Sequence, residues 1–196
     1  MVKKIVITNE KGGTGKSTIT CLLVEWLNFK KNKVQLIDTD PIQSSQDWVN
    51  NCQEERRKVS NSPAEYQIID TAGSSGSSLN WLKQADLIIV PFQAHYVDLK
   101  VTIDWFTSLK PDWQSKVIFV PNRWQKTKEQ REGMEQLKEI MKEERNGKLT
   151  IPLSNRPALY GSLLNGNKDN FFINKKIPSE VKELMKFIEK EIYAEN

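Results

Sequence analysis

The chain has little that would tie it to a membrane, an oxidising compartment or a metal cluster. No apolar run approaches the roughly 20 residues that a membrane span needs. The opening Met1-Val2-Lys3-Lys4 leads straight into a strand and lacks the apolar stretch and cleavage site of a secretory leader. Only two cysteines occur, Cys21 and Cys52, without metal-ligand spacing. Cys21 falls on the inner side of a predicted helix, as a small core residue does. A cytoplasmic, reducing location is the simplest reading. The single histidine, His95, has no cysteine, carboxylate or second histidine at ligand spacing and reads as structural. Charge of one sign is also scarce. Twenty-nine basic and 25 acidic residues leave a net +4, so only the distribution of charge can bear on nucleic acid. There is no internal repeat and no second domain. A chain of 196 residues, 38% hydrophobic, fits one domain over 1–196 with a sizeable core.

What is present is concentrated in Glu10 to Thr18, EKGGTGKST, between the apolar Ile5-Val6-Ile7 and a periodic segment, Ile19 to Leu27. That order is strand, glycine-rich loop, helix. Glycine tolerates positive φ and, lacking Cβ, lets backbone approach a ligand closely. The N–H groups of Gly12, Gly13, Thr14, Gly15, Lys16, Ser17 and Thr18 can then face an anion, at the positive end of the following helix. Lys16 supplies a cation for the β- and γ-phosphates, and Ser17 a hydroxyl for Mg²⁺. In the ordinary phosphate-loop pattern a further glycine precedes Gly15 by five residues; here that position is Glu10. The string is K-G-G-x-G-K-S instead, with an additional lysine, Lys11, at its start.

Further along, the pattern predicts strands at 3–8, 33–38, 66–70, 87–90, 116–120 and 148–152. Helices are expected at 16–31, 43–58, near 78–84, near 97–109, at 127–146, near 156–165 and at 179–193. Asn61-Ser62-Pro63 breaks the second helix, and Ser74 to Ser78 form a loop of small residues suited to a switch or a linker. Alternating strands and helices with short links argue for an α/β fold, a mostly parallel twisted sheet flanked by helices.

Three aspartates end predicted strands. Asp38 and Asp40 lie in Asp38-Thr39-Asp40-Pro41, and Asp70 begins Asp70-Thr71-Ala72-Gly73. Ligands bind at the carboxyl ends of strands in open α/β sheets, which puts all three beside the glycine loop. Mg²⁺ takes oxygen ligands and keeps several waters. Ser17, Asp38 and Asp70 are therefore candidates for its shell, and Asp40 for orienting the water that attacks the γ-phosphate. The reverse assignment of Asp38 and Asp40 is the alternative.

The K-G-G-T-G-K-S-T string resembles the deviant Walker A box of the ParA/MinD family of ATPases, and the resemblance extends over nearly the whole chain. It implies a three-layer P-loop NTPase fold, ATP and Mg²⁺ as ligands, and hydrolysis of ATP to ADP and phosphate. It also implies a homodimer formed with ATP, in which Lys11 reaches the partner's nucleotide while Lys16 serves its own. The D-x-D-P segment of such proteins carries a carboxylate needed for hydrolysis. Family members often contact adenine from the position of Pro121-Asn122-Arg123, making Asn122 either a base contact or a strand-ending turn. No N-K-x-D guanine reader occurs.

Relatives differ in what the closed dimer attaches to. Residues 179–196 hold five glutamates against three lysines, and Val181, Leu184, Met185, Ile188 and Ile192 recur at helical spacing. That is a core-packing helix, one that an anionic bilayer would repel. Residues 148–176 carry Lys148, Arg156, Lys168, Lys175 and Lys176 against one acid, Asp169. Similarity of Ser154 to Gly166 to small ParF-like partition ATPases implies nonspecific DNA binding there, with Arg156, Lys175 and Lys176 as phosphate contacts. It implies a nucleoid-associated cytoplasmic protein, no membrane partner, and a cargo-bound adaptor that stimulates hydrolysis. The cargo would be a plasmid, or a protein body as for carboxysome-distributing McdA proteins. Alternatives are a membrane-bound MinD-like regulator and a P-loop biosynthetic ligase or kinase. Two departures from the family are the absence of a DNA-reading domain before the loop and a short stretch between Asp40 and Asp70. The charged helix at 127–146 reads mainly as a solvated face, and Trp26, Trp48, Trp81, Trp105, Trp113 and Trp124 as packing groups.

Overall fold

A computed structural model of the chain describes residues 2–52, 64–73, 78–166, 169–173 and 176–194. Among them, six parallel strands form one sheet: β1 (Lys3–Ile7), β2 (Val34–Asp38), β3 (Tyr66–Asp70), β4 (Leu87–Phe92), β5 (Val117–Pro121) and β6 (Lys148–Leu149). Their spatial order is β2-β3-β1-β4-β5-β6. Parallel strands require crossovers, and helices supply them: α1 (Lys16–Phe29), α2 (Ser44–Asn51), α3 (Leu79–Leu82), α4 (Tyr96–Ser108), α5 (Pro111–Gln114), α6 (Lys128–Glu144), α7 (Pro157–Leu164) and α8 (Ser179–Tyr193). The sheet is covered on both faces, so its central strands are apolar at nearly every position rather than alternating. Ile5 and Ile7 of β1 pack with α1, α7 and α8, whereas Val6 packs on the other face with α4 and α6. The α/β three-layer expectation is met.

Departures from the expected elements have local causes. β4 runs two residues further than expected, through Pro91 to Phe92. Ile89 O accepts from Thr8 N, so Pro91, two residues on, faces the same neighbour just where the β1 ladder has stopped at Ile7. Its missing N–H is therefore not needed. β6 is shorter than expected, ending at Leu149 rather than 152. Thr150 N donates to Phe119 O; the next donor on that edge would be Pro152, which has none, and Leu153 N reaches Pro121 O instead. α2 ends at Asn51, where Cys52 turns extended; the rest of the helix expected over 43–58, from residue 53 on, lies outside the described residues. The single turn α5, begun by Pro111, was not expected. α8 buries Val181, Leu184, Met185, Ile188 and Ile192, as their spacing requires. The proposed break at 61–63, the loop residues 74–77, Lys168 and Lys175 lie outside the described residues.

Candidate functional site

The β1 to α1 connection is shaped by two glycines that no other residue could replace without strain. Gly13 has φ 74° and Gly15 has φ 101°. A Cβ on Gly15 would also stand 2.1 Å from Asn122 Nδ2. Gly15 ends the loop, and α1 begins at Lys16 with Ile19, Leu22, Leu23 and Leu27 buried beneath it. Burial of such side chains contributes about 1.5–3 kcal/mol each, which pins the helix N-terminus under the loop. Asn9 sets the loop's base. Its Nδ2 donates to Pro91 O at 2.9 Å and Thr102 Oγ1 at 3.0 Å, and its Oδ1 accepts from Lys11 N at 2.9 Å. From the far side Gln93 Nε2 donates to Gly13 O at 3.3 Å.

The two lysines of the loop face different surroundings. Lys16 is 7% exposed, and its ammonium donates to Lys11 O at 3.3 Å. Burial lowers its pKa, opposed by the negative charges of Asp70 and Asp40. Lys11 points elsewhere. Its ammonium lies 3.4 Å from Asp98 Oδ1 on α4, with the side chain 42% exposed.

The three aspartates do converge on the loop, in three different states. Asp70 is fully buried, and neither oxygen completes a hydrogen bond of normal geometry. Burial pushes its pKa up to about 6; the nearby Ser17 hydroxyl opposes that, Asp38 adds to it, and Ser45 and Lys16 oppose it. Asp38 is saturated. Oδ1 accepts from Asp40 N at 2.9 Å, and Oδ2 accepts from Ser45 N at 3.0 Å, Ser45 Oγ at 2.7 Å and Gln46 N at 3.1 Å. It thus caps the N-terminus of α2, whose own cap position, Gln43, makes no side-chain bond. Asp40 is half-buried, and Ile42 N donates to its Oδ1 at 2.9 Å.

Gly12, Gly13, Gly15, Lys16, Ser17 and Thr18 line a cavity of about 670 Å³ together with Asp40, Pro41, Ile42, Gly73, Arg123 and Leu164. That size suits a nucleotide. A buried carboxylate whose oxygens complete no hydrogen bond of normal geometry, with a serine hydroxyl and a lysine nearby, offers oxygen ligands that a hard divalent cation such as Mg²⁺ satisfies. Asn122 is 4% exposed; its Nδ2 donates to Thr14 O at 2.9 Å and its Oδ1 accepts from Arg123 N. It braces the loop from behind, and its neighbour Arg123 is the one that lines the cavity. Sequence reasoning passed over Asn9, Ser45, Gly73 and Asp98 as site residues, and chose Asn122 over its neighbour Arg123. Asn9 carried a signal, an Asn directly after a strand. Gly73 carried another, its place just after the strand-end Asp70; in the fold a Cβ there would meet Lys16 Nζ at 3.1 Å and Gly12 at 3.2 Å. Asp98 carried none, being one acid among several on a helix.

The basic candidates sit away from this cavity. Arg156 caps α7, is 50% exposed, and places Nε 3.3 Å from Glu180 Oε1. Burial raises the Glu180 pKa, but a backbone N–H, the Ser154 hydroxyl and Arg156 outweigh it and hold the carboxyl below its ordinary value. Lys148 pairs with Glu191. Lys176 is exposed. The linear count of one acid among five bases is therefore corrected: α8 brings two more acids against this segment. His95 lies 3.1 Å from Glu129 and is not part of any cluster of potential metal ligands among the described residues. No helix among them is long and apolar enough to cross a membrane.

Comparisons with known proteins agree with this geometry. No curated protein matches the sequence. Among solved structures, a Borrelia burgdorferi B31 protein assigned to plasmid partition, bound to AMPPNP, superposes with a TM-score of 0.69 at 20% identity, covering 97% of this chain and 100% of its own. Apo McdA from Cyanothece gives a TM-score of 0.76 at 17% identity over 98% and 100% of the two chains. The cell-division protein MinD of Aquifex aeolicus gives 0.68 at 16% identity over 96% and 97%. Residues 5–167 match the family described as the CobQ/CobB/MinD/ParA nucleotide-binding domain. A strand-loop-helix phosphate cradle, strand-end carboxylates around it and this match over most of the chain place the protein in the CobQ/CobB/MinD/ParA family of nucleotide-binding domains.

Proposed function

We propose that the chain is an ATPase that dimerises with ATP, binds DNA without sequence preference, and positions a plasmid or protein cargo. The observation that carries this reading is the division of labour between the lysines. Lys16 is buried inside its own cradle, whereas Lys11 is half-exposed beside Asp98, in an ion pair that a second copy would have to replace. Dimerisation would then complete the charge around the γ-phosphate, making hydrolysis depend on a partner, as suits a switch.

The backbone of Gly12 to Thr18 and Lys16 would hold the phosphates. Ser17 and Asp70 would hold Mg²⁺, with Asp38 behind them. Bound Mg²⁺ would neutralise charge on the β- and γ-phosphates. Asp40 keeps one oxygen clear of the Ile42 N–H bond and would orient the attacking water. Arg123 is better placed than Asn122 to lie beside the base. Arg156, Lys175 and Lys176 are the proposed phosphate contacts, and a cargo-bound adaptor the trigger for hydrolysis. The structures of a plasmid-partition-assigned protein and of McdA favour a cargo-positioning role, in a nucleoid-associated cytoplasmic setting. Against a membrane-bound role stands α8, whose apolar face is already buried in the core.

The test is retention of the Asp40→Ala variant on nonspecific DNA and on anionic liposomes, with ATP and with ADP. The expected outcome is ATP-dependent retention on DNA alone. With three basic side chains per subunit of a dimer, the logarithmic salt slope should be about −5. A flat salt dependence or retention on liposomes would overturn the reading.

A further inference from the structure

We infer that Ser45 is a positioning residue for hydrolysis, holding Asp40 in place through Asp38 and the α2 N-terminus. The inference rests on the ATPase reading above and names a device inside the same site. Ser45 is fully buried and does not line the nucleotide cavity. It cannot act by touching the nucleotide. Its Oγ donates to Asp38 Oδ2 at 2.7 Å, and its N–H donates to the same oxygen at 3.0 Å. It is also close enough to Asp70 to lower that carboxyl's pKa.

The chain from Asp38 to Gln46 is a closed set of short bonds. Asp38 Oδ1 accepts from Asp40 N, Asp40 Oδ1 accepts from Ile42 N, and Asp40 O accepts from Gln43 N. The ring shuts where Asp38 Oδ2 gathers Ser45 and Gln46. Gln43 has φ 53°, uncommon for a non-glycine residue, at the point where the segment turns into α2. Asp40 rides on the segment between the two anchored ends, so its direction is set by that closure.

Three measurements test this on the whole chain. In single-turnover hydrolysis, Ser45→Ala should lower the rate constant about tenfold, since a bond to a charged acceptor is lost from the positioning device. ATP affinity, read with a fluorescent analogue, should stay within about twofold, because no nucleotide contact is removed. In nucleotide-free protein, amide hydrogen exchange at positions 45 and 46 should accelerate while that of β1 and β4 stays slow, which also reports an intact fold. Ser45→Thr, which keeps the hydroxyl, should recover most of the rate. An unchanged rate for Ser45→Ala, a rate and affinity that fall together, or unaltered exchange at 45 and 46 would overturn the inference. Absence of hydrolysis in the unaltered protein would instead bring down the ATPase reading, and this inference with it.

Discussion

The glycine-rich loop and the basic segment around Arg156 both gather positive charge, and they do so by opposite means. In the loop the charge is carried by backbone N–H groups and a buried lysine, fixed by covalent neighbours within nine residues. Around Arg156 it is carried by exposed side chains whose counter-charges come from a helix more than 20 residues away in sequence: Glu180 faces Arg156, and Glu191 faces Lys148. The first kind of site tolerates almost no change. The second is tunable, because half-exposed ion pairs are worth only about 0–1 kcal/mol each. A cradle for a nucleotide and a surface proposed to grip and release a polyanion would call for that difference.

The sharpest break of the contrast is Gly15→Ala. It places a Cβ 2.1 Å from Asn122 Nδ2 at a φ of 101°. It should destabilise the fold by about 3 kcal/mol or more and abolish nucleotide binding, measured by urea unfolding and fluorescent-nucleotide titration.

Next in size is a pH effect from Asp70. Its folded pKa of about 6 lies above the ordinary carboxylate value, so the folded state holds a proton that the unfolded state has already lost. Stability should therefore fall as pH rises from about 4 to 6, by roughly 2–3 kcal/mol, in Mg²⁺-free buffer. Asp70→Asn should remove this slope, and comparing urea midpoints of the two proteins across that window cancels every other titration. Mg²⁺ affinity should weaken as the pH drops below 6.

The basic segment should respond more gently. Arg156→Ala should make the logarithmic salt slope of DNA binding about 2 units shallower in a dimer. Glu180→Gln, which releases Arg156, should tighten binding by about threefold to tenfold. A Glu180→Gln variant indistinguishable from the unaltered protein would mean the ion pair does not govern that arginine. The smallest expected effect belongs to Asp98→Ala. Lys11, itself half-exposed, loses its partner, and ATP-driven dimerisation, followed by analytical ultracentrifugation, should strengthen by no more than about threefold.

Legibility in the sequence follows the same division. The loop, the strand-end aspartates and the buried face of α8 could be read because each depends on spacing within one segment: glycine φ requirements, a strand's carboxyl end, a helical repeat. The end of β6 was misjudged because it turns on a tertiary partner: Pro152 breaks a ladder only in relation to β5. Asn122 was open between base contact and turn. It became a brace because its amide meets Thr14, 108 residues earlier in the chain.

By itself, then, the sequence determined the phosphate cradle and the parallel α/β frame around it. Backbone strain and hydrophobic periodicity are local properties, written residue by residue. Only the tertiary structure decided the states of the charged groups: Asp70 buried with no hydrogen bond of normal geometry, Asp38 spent on capping a helix, Lys11 turned outward onto Asp98, and Arg156 held by Glu180. Charge acts through space and through burial. What a carboxylate or an ammonium can do is set by whichever distant segments the fold brings beside it.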